Sequence, residues 1–226
     1  MSKHSTKIED IINIEPITEN QSKAFDAWNE GDNLVLAGSA GTGKTFIAMY
    51  LALQSVLENA TSYHKLYIVR SVVPTRDMGY LPGTKEEKVE PFETPYKSIC
   101  LELFDWDGAA YNKLINSHQV EFMTTSFVRG MQIDNAIVIV DEMQNLNFHE
   151  LDSVITRIGQ DCRIIFSGDY YQSDFKDAYE RDGIQRFLRI VERLKHFSVI
   201  TFGWDDIVRS DFLRDYIMTK EMLGMK

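Results

Sequence analysis

The chain has 226 residues, 44% of them hydrophobic, and carries 24 lysines and arginines against 34 acids, a formal net charge of −10. That is enough apolar material for one α/β domain, and the acidic balance excludes a surface that is basic throughout while leaving room for a local basic channel. No basic-then-apolar leader opens the chain, and no apolar run is long enough to span a bilayer. Cys100 and Cys162 lack C-x-x-C spacing and read as small buried hydrophobes in a reducing compartment. Together these features predict a cytoplasmic protein with no membrane segment.

Residues 1–15 are polar with a few isoleucines and read as a tail or an added edge element; residues 16–226 read as a single domain. Thr18 and Gln21 have capping-box spacing, which predicts a helix from there to about residue 29. An apolar strand follows at 33–37, and it runs directly into Gly38-Ser39-Ala40-Gly41-Thr42-Gly43-Lys44-Thr45. This is the phosphate-loop pattern G-x-x-x-x-G-K-[ST]. Its glycines let backbone N–H groups turn inward towards a polyphosphate, and the helix predicted over 46–57 adds its positive dipole end. Lys44 supplies a point charge for the β- and γ-phosphates, and the Thr45 hydroxyl is placed to ligate Mg²⁺. Gln21 then has a second reading beside its capping role. On a helix just before a phosphate-loop strand, an amide offers a donor and an acceptor together to the N6 and N7 edge of adenine.

A second strand is predicted at 65–69, ending at Arg70, with a Pro/Gly-rich loop over 71–83. Residues 84–93 are charge-dense and read as a solvated helix face; 96–104 reads as helix, and 106–116 as turn and short helix. A short strand at 120–123 precedes the apolar run 136–140, the signature of a buried parallel strand. That run ends in Asp141-Glu142. Beside a phosphate loop, Asp141 is placed to hold Mg²⁺, and Glu142 to orient and polarise an attacking water; taken alone, the pair would only cap the next helix. A helix is predicted over 147–158 and a buried strand at 163–166, which leads into Ser167-Gly168-Asp169 and then Gln172, a candidate γ-phosphate sensor. The helix at 183–194 carries Arg186, Arg189 and Arg193 opposite its apolar stripe. A last strand at 198–202 precedes Asp205, Asp206 and Arg209, and a helix over 211–220 closes the chain. Arg209 reads either as a phosphate-charge stabiliser or as a salt-bridge partner of Asp205 or Asp206. Strands alternating with helices predict a mostly parallel sheet with helices on both faces and ligands beyond the strands' carboxyl ends.

Several motifs in order carry a family resemblance: Gly38 to Thr45, Arg70 with Leu81-Pro82-Gly83 and Lys88-Val89-Glu90-Pro91, and Phe127-Val128-Arg129-Gly130. They continue with Val140-Asp141-Glu142-Met143-Gln144-Asn145, Thr156-Arg157-Ile158-Gly159, Ser167-Gly168-Asp169 with Gln172, and Asp206-Ile207-Val208-Arg209. Over residues 18–218 the chain resembles the PhoH family of bacterial and phage ATP-binding proteins, and looks most like its short phage-encoded members. The resemblance implies a P-loop NTPase of RecA-like fold, related to the core of superfamily 1 helicases, that hydrolyses ATP with Mg²⁺. It implies a hexameric ring, a link to RNA or single-stranded DNA, Gln21 as the adenine reader, and Arg209 as an arginine finger for a neighbouring subunit. An ATP-driven switch acting on a protein partner remains the alternative.

Overall fold

Among the described residues, six strands form one sheet in the order β3-β2-β4-β5-β1-β6, and every pairing among them is parallel. They are β1 (Asn33–Gly38), β2 (Lys65–Arg70), β3 (Val120–Thr124), β4 (Ala136–Asp141), β5 (Arg163–Gly168) and β6 (Phe197–Phe202). The computed structural model describes residues 6–71, 85–169 and 178–224. The helices are α1 (Glu19–Asn29), α2 (Lys44–Leu57), α3 (Lys85–Leu103), α4 (Ala110–Asn116), α5 (Thr125–Val128), α6 (Phe148–Ile155), α7 (Ala178–Val191) and α8 (Asp211–Met222).

The layering follows from strand alternation. Leu34, Leu36, Leu66, Ile68, Ile137, Ile139 and Ile165 point to one face, where they pack with α1, α2, α3 and α4. Val35, Ala37, Val69, Val138, Val140, Ile164 and Phe166 point to the other, against α6 and α7. β4 is buried along its whole length, as its unbroken apolar run requires in a sheet covered on both sides.

Local chemistry explains the element ends. Thr18 caps α1 by accepting from the Gln21 N–H (3.3 Å). Asn147 and Glu150 form a reciprocal capping box on α6. Asp141-Glu142 therefore does not cap that helix. The charge-dense stretch and the helix predicted from residue 96 prove to be one helix, α3, which passes through Pro91 and Pro95. Proline costs a helix an intrahelical hydrogen bond. Here Tyr96, Cys100 and Leu103, fully buried on one stripe, hold the helix in place through packing. The N-terminal segment crosses the helical layer: the Ile12 N–H donates to the Leu103 carbonyl (2.9 Å), and the Ile14 N–H to the Tyr50 hydroxyl (3.1 Å).

Because all strands run one way, their carboxyl ends meet along one edge. Register sets Arg70 beside Asp141, Ala37 beside Gly168, and Gly38 beside Phe202. β5 lies between the phosphate-loop strand β1 and the acid-bearing strand β4. Gly168, at the end of β5, packs under Gln144 and Met143, and a Cβ there would strike the Gln144 side chain and the Met143 backbone. Gly168→Ala is expected to destabilise the fold by about 1–3 kcal/mol, the usual cost of overpacking, in a denaturant titration. A change within a few tenths of a kcal/mol would contradict this packing.

Candidate functional site

The loop between β1 and α2 is built around its lysine. Gly38 has φ +130°, and a side chain there would collide with the Phe202 carbonyl, so only glycine lets the chain turn at this point. The Ser39 N–H donates to that carbonyl (3.1 Å), and the Thr42 hydroxyl to the Ser39 carbonyl (3.1 Å). Gly43 stands in the left-handed region and starts α2. The Lys44 ammonium is buried and donates to the carbonyls of Gly38 (3.0 Å) and Ser39 (2.6 Å) and to the Thr42 hydroxyl (3.2 Å). Burial pushes its pKa down, against the pull of Asp169, Glu142, Asp141 and Glu221. Ala40 and Gly41 continue the loop around a cavity of about 940 Å³, which Thr42, Gly43, Lys44 and Thr45 also line.

Opposite the loop, the Thr45 hydroxyl donates to Asp141 Oδ1 (2.9 Å). The two hard oxygen ligands predicted for Mg²⁺ are thus adjacent. Among the described residues no cluster of three or more His, Cys, Asp or Glu side chains forms a cation cage. Two oxygen donors beside a phosphate loop fit an ion that takes its other ligands from phosphates and water.

Glu142 adopts φ 52°, ψ 43°, an uncommon conformation for a residue with a side chain. Its carboxylate is half-buried, accepts from Gln144 Nε2, and lies 3.9 Å from the Arg70 guanidinium. Burial first, and then the Asp141 charge, raise its pKa; Arg70, the Gln144 amide and Lys44 pull the other way. Gln144 is itself buried, and its Oε1 accepts from the Asp169 N–H (2.9 Å), so one amide ties the carboxylate after β4 to the backbone after β5.

Gln21 is buried at the cavity wall. Its Oε1 accepts from the Ile17 N–H (2.9 Å), and its Nε2 faces the Thr42 carbonyl (3.4 Å). Arg209 also lines the cavity, exposed and packed alongside Gly41, while the Val208 N–H donates to the Gly41 carbonyl (3.0 Å). Asp205 pairs instead with Arg214 (3.6 Å), and Asp206 accepts from Asn20 (2.8 Å) and the Gly203 N–H (2.9 Å). Gln172 lies outside the described residues, as do Leu81, Pro82 and Gly83.

Three contacts have no warning in the sequence. The Tyr96 hydroxyl donates to Asp141 Oδ2 (2.8 Å). Gln144 stands in the family motif but without a role. Glu221, on α8, accepts from the Ser39 hydroxyl (3.0 Å) and from Trp204 Nε1, and so reaches the phosphate loop from the far end of the chain.

This arrangement of loop, acid pair and parallel sheet has known relatives. A family model described as PhoH-like protein matches residues 13–220. The chain belongs to the PhoH-like family. Among its relatives, a PhoH-like protein of Synechocystis is 30% identical over 205 residues, covering 90% of this chain and 61% of its own length. Protein PhoH2 of Bacillus subtilis is 37% identical over 173 residues, covering 74% of this chain and 38% of its own length. The chain thus spans less than two thirds of these relatives. By structure, it is similar to the large terminase of a thermophilic bacteriophage. The TM-score is 0.55 at 11% identity, over 92% of this chain and 50% of that one, a likeness of fold. The sheet with helices on both faces is therefore a P-loop NTPase core, as the sequence predicts. No described helix is long and apolar enough to cross a membrane.

The Gln144 bridge makes a direct prediction. Gln144→Leu removes the acceptor for the Asp169 amide, and that amide should exchange with solvent about tenfold faster, the equivalent of one modest hydrogen bond. Unchanged exchange at Asp169 would show that the bridge does not hold the two strand ends together.

Proposed function

We propose that this PhoH-like chain binds ATP with Mg²⁺ in the cavity beyond β1 and β4 and hydrolyses it to ADP and phosphate. The observation that carries this reading is the convergence of Lys44, Thr45, Asp141 and Glu142 on one cavity. Backbone N–H groups from Ala40, Gly41, Thr42 and Gly43 would cradle the phosphates, Gly38 and Ser39 would shape the turn that presents them, and Gln21 would read the adenine edge. Lys44 leaves its loop carbonyls for the β- and γ-phosphates. Thr45 and Asp141 hold Mg²⁺, which supplies charge neutralisation when bound. Glu142 accepts a hydrogen bond from the water that attacks the γ-phosphorus. The new P–O bond forms, the bond to the β–γ bridging oxygen breaks towards ADP, and the water's proton passes to the carboxylate or the departing phosphate. Arg209, beside Gly41 of its own chain, supplies a cation to the developing charge. That position supports action on its own chain's nucleotide. Gln172 remains the candidate γ-phosphate sensor by its place after β5. The fold neighbour named above, the phage terminase, was solved in complex with ADP.

RNA or single-stranded DNA is the proposed macromolecular partner. Support comes from Arg186, Arg189 and Arg193, exposed along α7 and just beyond its end on an otherwise acidic molecule. A homo-oligomeric ring, a hexamer by family resemblance, is supported by an apolar face on α8 where Phe212 is 81% and Tyr216 58% exposed, close to Arg209 in the chain. Residues 16–226 act as the ATPase domain.

The test is ATP turnover against pH for the wild type and Glu142→Gln. The carboxylate is the working form, and burial holds its pKa above the ordinary glutamate value of about 4.3. Activity is therefore lost as pH falls through that raised pKa, and Glu142→Gln should retain nucleotide binding while turnover drops about 10²–10⁴-fold. Full turnover by Glu142→Gln would remove Glu142 from the chemistry. Stimulation of wild-type turnover by single-stranded RNA or DNA supports the nucleic-acid reading. Indifference to both favours a switch acting on a protein partner.

A further inference from the structure

Asp141 is buried and uses both of its carboxylate oxygens within the chain. Thr45 donates to Oδ1, and the Tyr96 hydroxyl donates to Oδ2 at 2.8 Å. The two donors differ in kind. Thr45 is itself a candidate cation ligand, because its hydroxyl can keep its proton on Asp141 and still offer a lone pair to a metal. Tyr96 is no candidate cation ligand, and its phenol oxygen also faces the Arg70 guanidinium. It is fully buried, its ring lies against Phe122 with centroids 5.8 Å apart, and its single O–H is spent on Asp141.

We infer that Tyr96 is a positioning residue for the nucleotide's cation: its phenol holds Asp141 Oδ2 and leaves Oδ1 as the oxygen aimed at the metal. This rests on the reading of Asp141 as the Mg²⁺ carboxylate. Partners that orient a metal-binding carboxylate set how well it competes for the ion, commonly by 10–100-fold. The same helix, α3, lines the cavity through Pro95, Ser98, Ile99 and Glu102. One helix therefore carries both a cavity wall and the aim of the metal carboxylate. Any shift of α3 changes how tightly the site takes a metal–nucleotide complex.

The test uses the full chain and a fluorescent ADP analogue, titrated in EDTA and then at increasing Mg²⁺. Tyr96→Phe keeps the ring and its packing and removes only the O–H. Metal-free binding of the analogue should stay within about twofold of wild type, whereas the Mg²⁺ concentration for half-maximal enhancement should rise about tenfold. Tyr111→Phe is the control: Tyr111, on α4, donates to Glu93 of α3 (3.2 Å) and touches no predicted metal ligand, so its Mg²⁺ dependence should not move. Equal Mg²⁺ dependence for Tyr96→Phe and wild type overturns the inference, and so does an equal shift in Tyr111→Phe. A wild type that ignores Mg²⁺ overturns instead the metal reading of Asp141. Wild-type protein labelled with fluorotyrosine gives a reading without a substitution at 96. Adding Mg²⁺ to the ADP-bound protein should move the ¹⁹F resonance of the buried Tyr96, and a still spectrum contradicts the assignment.

Discussion

A buried ammonium with nothing but loop oxygens around it governs this molecule. Lys44 sits in a low-dielectric pocket where its charge is costly, and the carbonyls of Gly38 and Ser39 with the Thr42 hydroxyl meet that cost. Four carboxylates stand further out, each favouring the charged form, and burial still outweighs them. The site is therefore preorganised for anions. A polyphosphate brings stronger acceptors than carbonyls and does not require the loop to be built anew. The glycine at position 38 is the geometric condition for this, because the loop turns within contact of the Phe202 carbonyl and admits no side chain.

The parallel sheet carries the rest of the site to that lysine. Since every pairing is parallel, the ends of β1, β2, β4 and β5 deliver Gly38, Arg70, Asp141 and Gly168 to one edge. Inserting β5 between β1 and β4 leaves a gap between the phosphate loop and Glu142. In the proposed reaction a water and the γ-phosphate would occupy that gap, and Gln144 ties Glu142 at the end of β4 to the Asp169 backbone at the end of β5. Outer elements then close on the loop. α1 brings Gln21, the turn after β6 brings Val208 and Arg209 to Gly41, and α8 brings Glu221 to Ser39.

Much of this is legible in the sequence because the signals are local. The run 136–140 carries the signature of a strand covered on both faces and is one, and the Thr18 cap begins α1 as its spacing predicts. The phosphate loop and the acid pair are short patterns whose chemistry is tied to their place after a strand. What stays hidden is long-range. Tyr96 and Asp141 are 45 positions apart, and Ser39 and Glu221 are 182 apart; no spacing rule connects such pairs. α3 reads as two pieces because local rules treat proline as a breaker, whereas packing of its buried stripe carries the helix through Pro91 and Pro95. The fate of Asp205 is equally open in the sequence: its partner is Arg214 and not Arg209, which depends on how α8 is laid down.

If the Lys44 pocket is a nucleotide phosphate site, removing its ammonium must weaken nucleotide binding. Calorimetric titration of ADP with Mg²⁺ into the wild type and Lys44→Ala tests it most directly. One saturable site per chain is expected in the wild type, with a loss of at least about tenfold in affinity on removing the ammonium, as for a charge-assisted contact worth about 1.5–3 kcal/mol. Equal affinity in a folded Lys44→Ala protein, or no heat of binding in the wild type, would contradict it.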